Sequence, residues 1–371
     1  MIIEKEATSD PLFHNGHQYD SFYVIENKDM NAGFIALVIY ALNGIRLAKK
    51  RNALPVIVYG EQDIPYFYEP AKGPCVWDYY FEPISPVSHD LLIQWQKEGR
   101  VTPDQVHVNT YEEAIAGHQW DEDRLATFWA WEEPKDKIAW MANKRALGRK
   151  FLKAHLNINA DIQEIANDFA DQHFHAPHLI GVHIRGTDFQ YAEPISIERY
   201  FEAIDQWVRE GQYTDFQVFV ATDQQQFIQQ FEDRYPNRIV CSEALRSFNH
   251  IAPFKKEGVS AYQKGADVLI DILLLSKCHY ILKGAAAVGE FALWLTPEGL
   301  PLKDFAIESE FKSVKYYELK SAYLKLNVSN KSKLGLLTQG VGEFIIKCFM
   351  CFPPTRTLFN RYKWARRLLK H

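Results

Sequence analysis

Read for its apolar pattern, the chain first shows a helix. Phe34, Leu37, Val38, Tyr40, Ala41, Ile45 and Leu47 recur at helical spacing behind Asn31-Ala32-Gly33, and Lys49, Lys50 and Arg51 close the segment. Leu54-Pro-Val-Ile-Val-Tyr59 then has the length and branching of a strand. Between about 60 and 140 the periodicity breaks into aromatic and proline-rich pieces, densest at Tyr66-Phe67-Tyr68 and from Cys75 to Phe81. Long irregular segments of this kind either shape a site or cap a core edge. Regularity returns between about 166 and 316. The pattern there predicts a strand over 178–185 and a helix from near Ser196, with Ile197, Phe201, Ile204 and Val208 on one face. Strand 216–221, helix 224–234, strand 238–241, helix 264–277, strand 279–282 and helix 286–295 follow. Such alternation requires a largely parallel sheet with right-handed crossovers. The fold class is therefore read as α/β, with two Rossmann-like domains facing across a cleft, over 1–165 and 166–316, and a helical tail over 317–371.

The tail differs from both halves. Phe344 to Phe352 is apolar, and from Arg356 onward Arg361, Lys363, Arg366, Arg367 and Lys370 appear with no acid, while Leu358, Tyr362, Ala365 and Leu369 share one helical face. Such a helix either packs its apolar face on the protein or lies on an anionic membrane surface through 344–371. Its apolar run is too short to span a bilayer.

Composition narrows the class of partner. With 371 residues the chain suits about two domains, and a formal net charge of -5 gives no global attraction to nucleic acid. Five cysteines are too few for a disulfide scaffold in a chain of this length, and Cys348 and Cys351 form a lone CxxC without the second pair a zinc site needs. Met1-Ile-Ile-Glu-Lys-Glu lacks the apolar core of a signal peptide, so the expected setting is cytoplasmic, peripheral on the inner face of the membrane if the tail binds lipid.

Chemistry concentrates at strand ends. His183-Ile-Arg185-Gly-Thr-Asp188 closes one apolar strand and Thr222-Asp223 another, which is where open α/β sheets bind ligands. Asp271 stands among Ile270, Ile272, Leu273, Leu274 and Leu275, where a buried carboxylate needs a donor; a guanine base can offer paired N–H groups. Lys283-Gly284-Ala285-Ala286-Ala287-Val288-Gly289-Glu290 opens a helix with small residues, which either admit phosphate to backbone N–H groups or serve close packing. Neither GxGxxG nor a P-loop is present, so dinucleotide oxidoreduction and ATP hydrolysis are disfavoured. Asp121-Glu-Asp123 matches the DxD of metal-dependent transferases, but it stands in an acidic helix start and reads as solvated.

In order and spacing, the 183–188 segment, Val220-Ala-Thr-Asp223, Asp271 to Ser276 and the 284–289 turn resemble the donor-binding half of the nodulation-type and α1,6-fucosyltransferases, related to the O-fucosyltransferases. The resemblance covers roughly 170–300, and the Gly33 loop more loosely. It implies a GT-B-type, metal-independent, inverting transferase that moves fucose from GDP-fucose to a glycan or polysaccharide acceptor, lipid-linked acceptors included. It also implies roles. Arg185 would stabilise the diphosphate leaving group, with His183 and Asp188 holding that loop; Thr222, Asp223, Ala286, Ala287, Val288 and Gly33 would line the donor pocket, and Asp271 would read guanine. Glu193 would deprotonate the acceptor, although an acid before Pro194 also suits a helix start. No metal or other cofactor is expected, the GDP-sugar being a co-substrate. This chain departs from the family at Gly186 and Phe189, where many relatives carry basic residues, and at Ala285, Ala286 and Ala287, where hydroxyl side chains are common. Three alternatives therefore stay open: a nucleotide-sugar-binding protein without catalysis, a transferase using another donor, and a membrane-surface assembly factor acting through the tail.

Overall fold

The computed structural model of the protein describes residues 10–27, 32–110, 113, 122–126, 134–187, 195–249 and 251–308. Asp121, Asp188, Glu193 and the tail, 344–371 included, lie outside the described residues.

A short antiparallel hairpin of β1 (Phe13–His14) and β2 (His17–Gln18) leads in, turned by Asn15 and Gly16 at φ 51° and 75°. Two positive φ values in succession are what a two-residue hairpin turn needs, and Asn-Gly supplies them at least steric cost. The first sheet has β3 (Ser21–Glu26) at its centre, β4 (Ala53–Val58) on one side and β5 (Val106–Val108) on the other, all parallel. Between β3 and β4 runs α1 (Phe34–Lys50), the helix that the apolar spacing predicts. The central strand β3 is absent from the sequence reading. It is buried on both faces and so shows no alternation to detect. The 60–140 stretch is also more regular than its composition suggests. It contains β5 and α2 (His89–Lys97), whose first turn is capped by Ser88, and Leu92 of α2 packs with Leu54 and Val56 of β4.

The second half follows the predicted alternation closely. Its elements are β6 (Leu179–Ile184), α5 (Ile197–Glu210), β7 (Gln217–Thr222), α6 (Gln225–Arg234), β8 (Ile239–Val240), α7 (Ala261–Ser276), β9 (Tyr280–Lys283) and α8 (Ala287–Leu295). After them come β10 (Leu302–Asp304) and α9 (Phe305–Glu308). The sheet order is β10-β9-β6-β7-β8, every neighbour parallel. Before this series lie α3 (Lys137–His155), which packs on α8, and α4 (Ala160–His173), which packs on α7. The position 165 therefore falls inside α4.

Residues up to Phe128 and from Asp136 to Ser309 belong to one compact unit. One apolar cluster runs from Leu37 and Leu42 of α1, through Phe67 and Tyr80, to Leu269 and Leu274 of α7 and Phe291 of α8. A second lies on the opposite face of the larger sheet, where Ile204 and Phe231 cover Val182 and Val220. Both faces of that sheet are thus covered, which explains why β6 is an unbroken apolar run apart from His183.

The aromatic segment joins the two sheets. Tyr66 and Phe67 meet Phe254 at 5.4 and 5.8 Å between ring centres, and Tyr80 stacks on Tyr262 at 5.4 Å while its hydroxyl donates to the Tyr262 carbonyl (2.9 Å). Glu69 completes the contact: its Oε2 accepts from Ser260 Oγ (2.6 Å) and from Tyr262 N (3.0 Å), where α7 begins. A carboxylate from one half thus caps a helix of the other, and these bonds, the Ser260 hydroxyl first, hold Glu69 below its usual pKa.

Candidate active site at the carboxyl edge of the larger sheet

Because β9, β6, β7 and β8 are neighbours and all parallel, the segments that follow them leave the same edge of the sheet. Those segments are 284–286, 185–187, 223–224 and 241–249. They carry Arg185, Asp223 and Ala286, with His183 and Thr222 in the strands before them and Ala287 and Val288 in the helix after.

Arg185 and its neighbours form a loop tied down from β7. Arg185 Nε donates to the Thr187 carbonyl at 3.0 Å. Asp223 accepts from Gly186 N at Oδ1 (2.5 Å) and from Thr187 N and Thr187 Oγ1 at Oδ2 (3.2 and 2.5 Å). The carboxylate expected to line the nucleotide pocket is thus engaged by three donors of Gly186 and Thr187, which follow Arg185. Thr222, the last residue of β7, is buried and accepts from Gln224 N at 3.2 Å. Gly186 has a steric cause. A Cβ there would stand 2.2 Å from Oε1 of Gln224, a buried side chain held by its bond to the Asn249 carbonyl (2.9 Å).

His183 is 6% exposed, and its Nδ1 has no hydrogen-bond partner among the described residues. It faces the first turn of α8, since a Cβ on Gly289 would stand 3.2 Å from that nitrogen. Burial, with the charges of Arg185 and Lys283 beside it, pushes its pKa down to about 3, so the ring is neutral at physiological pH. The helix it faces is preceded by Ala286, which offers no side-chain cap, and opens with Ala287 and Val288, both half-buried. An α-helix start leaves N–H groups that an anion can satisfy, and the macrodipole favours negative charge there.

Beneath this turn lies a buried ionic network that the sequence reading missed. Lys283 Nζ, with no exposure, sits 2.7 Å from Glu290 Oε2 and 3.2 Å from Asp304 Oδ1. Arg145 of α3 grips Glu290 with Nε (2.7 Å) and Nη2 (2.8 Å) and also pairs with Asp304. Burial alone would raise the Asp304 pKa, but Lys283 and Arg145 outweigh it and hold the carboxylate below its usual range. One signal was available: Lys283 ends the apolar strand Tyr280-Ile-Leu, and Glu290 precedes Phe-Ala-Leu-Trp. Arg145 had none, because α3 carries basic residues throughout.

Asp271 marks another part of the edge. Its Oδ1 accepts from Ser242 Oγ at 2.5 Å, directly after β8, and burial pushes its pKa up to about 7 against the lowering effects of Ser242 and Arg246. One turn earlier, Asp267 accepts from Leu245 N (2.8 Å), and Arg246 donates to the carbonyls of Ser242 (2.8 Å) and Ala244 (3.2 Å). The loop after β8 is thereby seated on α7. Gly33, the residue before α1, brings the first half to the same region, since a Cβ there would lie 3.9 Å from Phe254. Asp123 is placed elsewhere: it pairs with Arg46 and Lys50 of α1, both at 2.8 Å.

Comparison with known proteins bears on the same stretch. Residues 148–284 match the family model of the α-(1,6)-fucosyltransferase N- and catalytic domains. No curated protein matches by sequence. Similar solved structures include the fucosyltransferase NodZ from Bradyrhizobium, with 18% identity, coverage of 75% of this chain and 94% of that one, and a TM-score of 0.45. POFUT1 in complex with GDP shows 11% identity, coverage of 77% and 99%, and a TM-score of 0.41. FUT1 from Arabidopsis thaliana, a mutant in complex with GDP, shows 10% identity, coverage of 79% and 74%, and a TM-score of 0.40. Over the stretch that carries β6, the Arg185 loop, Asp223, Asp271 and the approach to the Gly284 turn, the chain is similar to the catalytic part of the α-(1,6)-fucosyltransferases.

Proposed function

We infer that the protein is a metal-independent inverting glycosyltransferase that transfers fucose from GDP-fucose to a glycan or polysaccharide acceptor. The observation that carries this reading is the coincidence of the family match over 148–284 with the sheet edge where Arg185 and His183 stand and where Ser242, after β8, meets Asp271. In this reading the diphosphate lies between the Arg185 guanidinium and the start of α8. Arg185 supplies a fixed positive charge as negative charge grows on the departing GDP, and the N–H groups of the 286–288 turn supply aligned dipoles. Neutral His183 adds a hydrogen-bonding ring without a competing charge. Asp271 accepts the N–H groups of guanine. Its raised pKa means that ionisation is completed by such donors.

The remaining assignments belong to the same proposal. The sheet with β3 at its centre forms the acceptor side of a GT-B-type enzyme, and Glu193 or Asp188 takes the proton of the acceptor hydroxyl. The basic tail draws the enzyme to the inner membrane surface, where a lipid-linked acceptor would be met. Liposome co-sedimentation of the full-length chain and a chain lacking 344–371 tests that attachment; equal sedimentation of the two removes it.

A screen of GDP-, UDP- and CMP-sugars for protection against thermal unfolding tests the donor. GDP-fucose is expected to raise Tm by mass action, by about 2.7 kcal/mol of stability at a hundredfold excess over Kd. Protection by UDP- or CMP-sugars alone would transfer the reading to another donor, and protection without transfer to any acceptor would leave a binding protein.

A further inference from the structure

Phe248 stands 77% exposed in the loop between β8 and α7. Among the described residues from 134 onward it is the one exposed Phe, Tyr or Trp. A Phe ring left in water forgoes about 1.5–3 kcal/mol of burial. The loop is held on both sides of the ring. Gln226 Nε2 donates to the Phe248 carbonyl (2.6 Å), Gln224 Nε2 to the Asn249 carbonyl (2.9 Å), and Ser247 N to the Asp223 carbonyl (2.8 Å). Toward β8 the same loop is seated on α7 through Ser242 to Asp271 (2.5 Å) and Leu245 to Asp267 (2.8 Å). The ring is therefore carried on the carboxyl edge of the sheet, between the anchor at Asp271 and the anchor at Gln224, which itself touches the Arg185 loop through Gly186. Ile251, 58% exposed, extends the apolar surface three residues on.

A purine base is a flat ring system with its N–H and C=O groups on the rim and apolar π faces above and below. A carboxylate such as Asp271 meets only the rim. The faces need a planar or apolar surface, and a phenyl ring on the loop that positions Ser242 against Asp271 is such a surface. We propose that Phe248 is the stacking surface for the purine base of the bound nucleotide, so that Asp271 of α7 recognises the base by its rim and the 242–248 loop by its face. This rests on the assignment of the edge to a GDP-sugar.

The test uses the full chain with three substitutions, Phe248→Ala, Phe248→Tyr and Phe248→Trp, and titrates each with GDP and with inorganic pyrophosphate. Loss of a base–aromatic contact is expected to weaken GDP about tenfold in Phe248→Ala, while Phe248→Tyr stays close to the native value. Pyrophosphate, which has no base, binds all variants alike, and the fluorescence of the introduced Trp is quenched by GDP but not by pyrophosphate. Unchanged GDP affinity in Phe248→Ala overturns the proposal, including the case where only the acceptor KM rises or only liposome binding falls. Equal weakening of GDP and pyrophosphate also overturns it, because the ring would then be maintaining the loop. If the native chain binds pyrophosphate but not GDP, the GDP-sugar assignment fails, and the stacking role fails with it.

Discussion

At Asp271 the structure sets up a pH dependence whose sign can be worked out. The carboxyl is raised from 3.8 to about 7 by burial, so the folded protein binds a proton there that the unfolded chain has released. Stability from this group is present below about pH 4 and is lost as pH rises toward 7, at up to ~1.4 kcal/mol per pH unit. Asp271→Asn is expected to remove that slope, as read by urea unfolding at a series of pH values, and to weaken GDP binding. An unchanged slope would show that Asp271 is not the titrating group. Gly186 offers a second residue-scale test. Gly186→Ala forces the buried Gln224 side chain from its place and is expected to cost about 1–3 kcal/mol, most of it recovered in Gly186→Ala/Gln224→Ala. If the single variant is as stable as the native protein, the loop has room for a side chain. Crowding by Gln224 would then not be the reason for a glycine at this position.

At the scale of elements, Arg145, Lys283, Glu290 and Asp304 bind α3, β9, α8 and β10 into one buried network beneath the start of α8. Buried ion networks rarely exceed apolar packing in stability, but removing one partner leaves another uncompensated. Lys283→Met is therefore expected to cost about 3–5 kcal/mol in chemical unfolding, partly restored in Lys283→Met/Glu290→Gln. A loss below ~1 kcal/mol would mean that Glu290 and Asp304 are satisfied by Arg145 alone. The alternation from β6 to α8 was legible in the sequence because each strand is an apolar run and each helix carries one apolar face. The roles of neighbouring side chains were less legible. Thr222-Asp223 was correctly placed at a strand end, yet nothing in its spelling shows that Asp223 faces back to Gly186 and Thr187 rather than outward. Arg145 was invisible for a related reason: its partners lie 145 and 159 residues away.

Across the whole molecule, the two parallel sheets share a core, and the aromatic segment expected either to shape a site or to cap an edge joins one half to the other. Glu69→Ala is expected to lower stability by about 1 kcal/mol, as for loss of a helix cap, and to raise amide exchange at the start of α7. Exchange unchanged at 261–264 would mean that the Glu69 contact is not maintained in solution. Composition announced the aromatic density of this segment but not its partners, because stacking of Tyr80 on Tyr262 joins positions with no local pattern in common. At this scale the carboxyl edge of the larger sheet is proposed as a GDP-sugar site organised by Arg185. GDP release from GDP-fucose, followed for the native chain and for Arg185→Ala at matched Tm, tests that proposal most directly. Turnover by the native chain is expected in the presence of a glycan acceptor, with a loss of about 10²–10³-fold in the variant and both proteins folded alike. Equal rates in the two proteins would contradict it.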